Sequence, residues 1–139
     1  MNYKIVGRYI KKLNFSIPNP KAFFLLSKDI SNYKINIDIK SNQLKDKIVE
    51  VETTLNLVPT KDDYETINTN IIYSTIIELS EKLTDKKKIE KIILIEVPTK
   101  IYPDLRKIFT FVFENSGFKE IKINEKVNFQ KLYDLKKVQ

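Results

Sequence analysis

The sequence predicts an α+β fold, a four-stranded antiparallel sheet drawn as a meander and backed by two C-terminal helices. Three observations predict it. Apolar and polar residues alternate with a period of two through the first half, prolines and short polar clusters cut that alternation into four runs, and beyond residue 103 the apolar spacing becomes helical. At 139 residues the chain suits a single domain, spanning 1–139, which can bury roughly two thirds of its unfolded surface.

In the first run, 5–17, Tyr9, Leu13, Phe15 and Ile17 fall on one side and Arg8, Lys12, Asn14 and Ser16 on the other. Pro18 and Pro20 end it, because proline supplies no ladder N–H. The following loop carries Phe23, Phe24, Leu25 and Leu26, which either cover the core or form a sticky surface. A second strand spans 33–40, with Tyr33, Ile35, Ile37 and Ile39 inward and Lys34, Asn36, Asp38 and Lys40 outward. A third spans 47–58, where Val49, Val51, Thr53, Leu55 and Leu57 oppose Glu50, Glu52, Thr54 and Asn56. After a turn at 59–63, the β-branched run 64–77 puts Ile67, Ile71 and Tyr73 on one face. Residues 89–97 suit a strand or a buried helix, and periodicity does not choose between them. From Pro103, a first-turn residue, Leu105, Ile108, Phe109, Val112 and Phe113 keep helical spacing up to a left-handed stop at Gly117. The last helix starts from Asn128 as N-cap, with Val127 stapled to Leu132, and with Phe129, Leu132 and Tyr133 sharing a face.

Composition excludes most chemistry. With no cysteine and no histidine the chain cannot build a thiolate or imidazole metal site, a histidine-activated nucleophile or a redox dithiol. Gly7 and Gly117 are the only glycines, so no Gly-rich phosphate cradle can be written. Asp62 and Asp63 beside Lys61 read as a solvated loop rather than an acid and base pair. No enzyme activity, metal or cofactor is expected. The net charge of +7 is carried almost wholly by lysine, with arginine only at 8 and 106, in a chain rich in Ile and Asn with Ala22 as its one alanine. That profile favours compositional drift over selection for a polyanion. No signal-like N-terminus and no run of about 18 apolar residues is present, so a soluble, intracellular protein is expected.

Four segments, in the right order and spacing, resemble the protein-export chaperone SecB family. They are Tyr9 through Phe15 with Ile17, Pro18 and Asn19; Lys34, Ile35, Ile37, Asp38, Ser41, Gln43 and Leu44, continuing to Glu50 and Val51; Ile89, Glu90, Leu94, Ile95, Glu96, Pro98, Ile101, Tyr102, Pro103, Leu105 and Arg106; and Val127, Asn128, Phe129, Leu132 and Tyr133. The third is the most specific, with its Glu-x-Pro and aromatic-Pro steps. The resemblance implies a cytoplasmic, ATP-independent holding chaperone, a homotetramer built as a dimer of dimers, which binds unfolded preproteins and delivers them to the translocation motor SecA.

A holdase presents apolar surface to unfolded chains. Phe23, Phe24, Leu25, Leu26, Ile101 and Tyr102 are the client-binding candidates, with core packing as their ordinary role. The positions matching the family's SecA-contacting acids are Lys12, Ser16 and Thr66, none of them acidic. Asp38, Glu50 and Glu52 are the candidates for a displaced acidic patch. The chain also ends in Lys136, Lys137, Val138 and Gln139 instead of the family's acidic tail. Retained client binding with weakened or re-routed SecA docking is therefore expected. The alternatives are a SecB-like chaperone dedicated to one partner, such as an antitoxin, and a basic nucleic-acid-binding module. The latter is disfavoured because acids interrupt the bases on the outward positions and no aromatic joins them. The near-continuous Ile71, Ile72, Ile76 and Ile77 point to burial against another copy.

Overall fold

In the computed structural model, residues 2–28, 33–64, 67–118 and 126–138 are described. Strands β1 (Tyr3–Ser16), β2 (Tyr33–Lys45), β3 (Ile48–Pro59) and β4 (Asn68–Leu79) form one antiparallel sheet in the spatial order β1-β4-β3-β2. The predicted sheet with helices is present, but the meander holds only for β2, β3 and β4. β1 pairs with β4, which makes the order that of a Greek key. Connection length explains the difference. β2 and β3 are joined by the two residues Asp46 and Lys47, whereas 17–32 between β1 and β2 includes a helix and is far longer than a hairpin loop. Lys47 takes the left-handed backbone of that turn, φ 66°, and its ammonium donates to the Leu83 carbonyl at 2.9 Å.

That helix, α1 (Pro20–Lys28), replaces the loop expected after the first strand. Its start is set locally: Asn19 Oδ1 accepts from the Ala22 N–H at 2.9 Å, and Pro20 takes the first helical position, where a missing N–H costs nothing. The ambiguous 89–97 stretch is helical throughout. α2 (Lys86–Lys91) runs into a π-helical turn, Ile92–Glu96, and then into α3 (Val97–Glu114). Pro98 lies in the first turn of α3, so Pro103 is interior rather than initial. A proline cannot donate to the preceding turn, and the widened π turn immediately before Pro98 is where the ladder adjusts. Gly117, at φ 104°, ends the α3 region as expected. In α4 (Phe129–Val138), Asn128 caps the Lys131 N–H at 3.0 Å, and Phe129 and Tyr133 are buried. Leu132 is exposed, so it does not share their face.

The helices cover one face of the sheet. Leu55, Leu57, Ile71 and Tyr73 meet Ala22, Leu26, Ile101, Leu105, Phe109, Phe113 and Phe129 in the larger cluster. Val49, Val51, Ile77 and Leu79 meet Leu83, Ile92 and Val97 in the smaller. Phe109 and Phe113 stack at 4.5 Å between centroids, and Phe15 and Phe118 pack edge-on and tilted against Phe113, at 4.8 and 5.5 Å. Truncating this hub removes contacts from β1, α3 and the following turn together. Phe113→Ala is expected to lower unfolding stability by about 3–5 kcal/mol, read as a shifted urea midpoint, whereas exposed Phe111→Ala should move it by about 0.5 kcal/mol or less.

Candidate functional site

The uncovered face of the sheet is built from the alternate residues, and its centre is a carboxylate cluster. Glu50 and Glu52 project from β3 and are 7% and 9% exposed although no helix among the described residues lies over them. Their partners come from every strand. Tyr9 Oη on β1 donates to Glu50 at 3.1 Å, Lys11 on β1 reaches both acids at 3.2 Å, Ser74 on β4 donates to Glu50 at 2.7 Å, and Asn42 on β2 donates to Glu50 at 3.2 Å and to Glu52 at 2.9 Å. The short Ser74 bond is the largest influence holding the Glu50 carboxyl down at about 2, opposed by burial and reinforced by Asn42, Lys11 and Tyr9. The two acids in turn raise the Lys11 ammonium above its ordinary value, Glu52 foremost.

Two irregularities in β1 make this possible. Its register against β4 slips between Ile5 and Gly7 and again between Ile10 and Lys12. The second slip leaves Lys11 as an extra residue, and the pairing then places Tyr9 opposite Ser74 on the uncovered face and Arg8 opposite Thr75 on the helix side, where Arg8 meets Asp104 of α3 at 3.0 Å. The strict alternation expected for 5–17, with Tyr9 inward beside Leu13, is thereby overturned.

The structure separates the predicted site residues. Lys12, Ser16 and Asp38 are exposed, on the uncovered face by register. Glu50 and Glu52 lie on that face too, but they are buried and bonded to Lys11, so they do not form a free acidic patch. Thr66 lies outside the described residues. Of the client-binding candidates, Leu26, Ile101 and Tyr102 are core residues, and Phe23 and Leu25 are half-buried against the core. Helix formation explains this: α1 turns Ala22 and Leu26, four residues apart, into the core with Phe23 and Leu25 at the flanks, leaving Phe24 alone widely open at 67% exposure.

Exposed apolar surface lies elsewhere as well. Ile10 and Leu13 sit on the helix side of β1 between the Arg8–Asp104 pair and the Phe15–Phe113 contact, and Phe111 of α3 is 65% exposed. On the opposite edge, β2 pairs among the described residues only with β3, in unbroken register from Tyr33 to Gln43, while Ile35, Ile37 and Ile39 are partly exposed beside the core. A half-open cavity of about 250 Å³ lies near the β2–β3 turn, lined by Ser41, Gln43, Asp46, Lys47, Val49, Leu79, Ile89 and Ile93, and none of the predicted client residues reaches it.

A family model described as preprotein translocase subunit SecB matches residues 1–139. The chain belongs to the SecB family. It is 41% identical over 132 residues to a putative protein-export protein SecB of Pelagibacter ubique, covering 95% of this chain and 94% of the relative. To the protein-export protein SecB of Anaplasma phagocytophilum it is 24% identical, covering 94% and 90%. Among solved structures, a SecB-like chaperone of Mycobacterium tuberculosis, in complex with a peptide from an antitoxin, superposes with a TM-score of 0.67 at 8% identity, over 91% of this chain and 88% of that one. SecB proteins are protein-export chaperones rather than enzymes. No helix among the described residues is long and apolar enough to cross a membrane, and the Asp and Glu residues among them form no cluster of three that could hold a metal.

The cluster gives this member of the SecB family an acid-sensitive element. Glu50 has its carboxyl lowered from the ordinary 4.5 to about 2, so its contribution is complete above about pH 4.5 and is lost as pH falls through 2. With solvent screening on the open face the effect is about 2 kcal/mol. Glu50→Gln should therefore destabilise the protein at pH 7 and flatten its stability between pH 4.5 and 2. The measurement is urea midpoint against pH for both proteins; parallel curves would contradict the assignment.

Proposed function

We propose that this chain is an ATP-independent cytoplasmic holding chaperone for unfolded precursor proteins, assembled as a dimer of dimers. The observation that carries the reading is the β2 edge. An unpaired edge strand presents a row of backbone donors and acceptors, the template to which an extended chain adds as a further strand. Here that edge is regular from Tyr33 to Gln43 and carries partly exposed Ile35, Ile37 and Ile39 on the helix side. Main-chain bonding suits any sequence, and the isoleucines favour the apolar segments that a folded protein would have hidden. This is the selectivity a holdase needs, and it uses no nucleotide. Exposed Phe24 on α1 supplies a further apolar contact.

Ile10 and Leu13 support the assembly. They lie on the β1 edge, at the side of the sheet away from β2, between the contacts that tie β1 to α3, and a second copy meeting the same strip would bury them symmetrically. That leaves the client edge free.

Delivery to SecA is the part of the family role that this chain alters. Lys12 and Ser16 stand where the resemblance places acids, and the carboxylates of Glu50 and Glu52 are already spent on Lys11, Asn42 and Ser74. Docking through acidic complementarity is therefore weakened or re-routed to another partner.

Purified protein at stoichiometric amounts should suppress light scattering by a denatured precursor without ATP, and Phe24→Asp should weaken that suppression several-fold with an unchanged urea midpoint. Undiminished aggregation of the precursor would overturn the reading. Sedimentation should give a tetramer, and Ile10→Asp with Leu13→Asp should yield a smaller species; an unchanged mass would remove this strip from the interface.

A further inference from the structure

The strand registers place four asparagines in one row across the uncovered face. Asn36 of β2 lies opposite Asn56 of β3, Asn56 opposite Asn70 of β4, and Asn70 opposite Asn14 of β1. Asn68 opposite Ser16 extends the same end of the face. At the sheet's interstrand spacing the row is about 14 Å long. Two of its carboxamide oxygens, Asn56 Oδ1 and Asn70 Oδ1, are buried without a hydrogen-bond donor among the described residues. Native structures rarely leave such groups unsatisfied. The last torsion of asparagine is broad and roughly two-fold, so each amide can turn and present either its oxygen or its NH2 to a docked chain.

The charges around this row are not balanced. Lys4 pairs with Glu78, and Lys11 with Glu50 and Glu52. The exposed cations left around the row are Lys12, next along β1 from Asn14 on the same face, and Lys34, next along β2 from Asn36, with Lys40 farther along β2. Asp38 is the acid in the same region, on β2 in the register row of Lys12. Lys12 and Lys34 sit at diagonally opposite corners of the amide row, about 20 Å apart at ordinary strand and residue spacings. The diagonal between them avoids the Asp38 corner.

We infer that the amide row between Lys12 and Lys34 is a docking track for an acidic, extended segment of a partner protein. About six residue steps of an extended chain cover the distance, and side chains an even number of residues apart share a face, so the segment carries carboxylates six residues apart to meet the two lysines. Its backbone N–H and C=O groups meet the turned carboxamides of Asn14, Asn36, Asn56 and Asn70. A carboxylate brings the charge that this face lacks, whereas the face of a second copy would set lysine against lysine. Nucleic acid would call for stacking aromatics, and Tyr9, the aromatic that the register places on this face, has its hydroxyl committed to Glu50. The inference deepens the re-routed docking proposed above and stands apart from client binding, which uses the helix side and the β2 edge.

The test is fluorescence anisotropy of the full-length chain with a labelled peptide carrying glutamates six residues apart. The same peptide with glutamine in their place and a single-stranded RNA of similar length serve as comparisons. The acidic peptide should bind best and weaken steeply with salt. Lys12→Glu and Lys34→Glu should each reduce its affinity about three- to fivefold, and Asn70→Ala should reduce it at unchanged salt dependence, all with unchanged urea midpoints. Equal binding of the glutamate and glutamine peptides, insensitivity to both lysine variants, or preferred binding of RNA would overturn the inference. Because no precursor is present, failure here leaves aggregation suppression standing, and failure of aggregation suppression leaves this result readable.

Discussion

One constraint organises the molecule: a four-stranded sheet has a single helical layer to cover it. Leu55, Ile71, Ile77 and their neighbours on one face are sealed by α1, α3, α4 and the π turn, and that burial is the main source of stability. On the other face, polar groups that the strands shield from water have to be satisfied within the sheet or by a partner. The Glu50 cluster is the internal solution. It spends two carboxylates, an ammonium, an amide and two hydroxyls in tying all four strands together where no core can do so. Breaking one partner leaves a desolvated charge, which is why such a cluster fixes strand register more strictly than an apolar contact of the same size.

The same constraint leaves apolar surface at both lateral edges. On β1 the two bulges make the edge irregular, and exposed Ile10 and Leu13 form an apolar strip suited to another copy. On β2 the edge stays regular and its isoleucines remain half-covered. The incomplete coverage is thus the link from packing to the proposed activity, while the outer face, with its acids internally paired, is left to asparagine and lysine.

Much of this was legible in the residues. Alternation from Tyr33 to Lys40 and in β3 placed the inward and outward sets correctly because those strands carry no bulge before Gln43. The Asn128 cap and the Gly117 stop were readable because each depends on one residue's local chemistry. The bulge at Lys11 was not: a one-residue slip in β1 leaves no mark in composition, yet it moves Tyr9 to the open face and brings Lys11 to Glu50. The Asn19–Pro20 start of α1 was present in the sequence as a cap followed by proline, but two prolines close together read first as a strand end. Ile101 and Tyr102 looked like candidates for surface because Pro103 seemed to open a helix after them. With α3 beginning at Val97 they fall on its buried face.

The most direct measurement of the central claim is hydrogen–deuterium exchange of the free protein and of its complex with an unfolded precursor. The account predicts slowed exchange concentrated in β2 between Tyr33 and Gln43 and in α1, with the amides of β3 and β4 little changed because their ladders are already complete on both sides. Protection that leaves β2 unchanged, or that falls on the open sheet face instead, would contradict the claim that the uncovered edge receives the client.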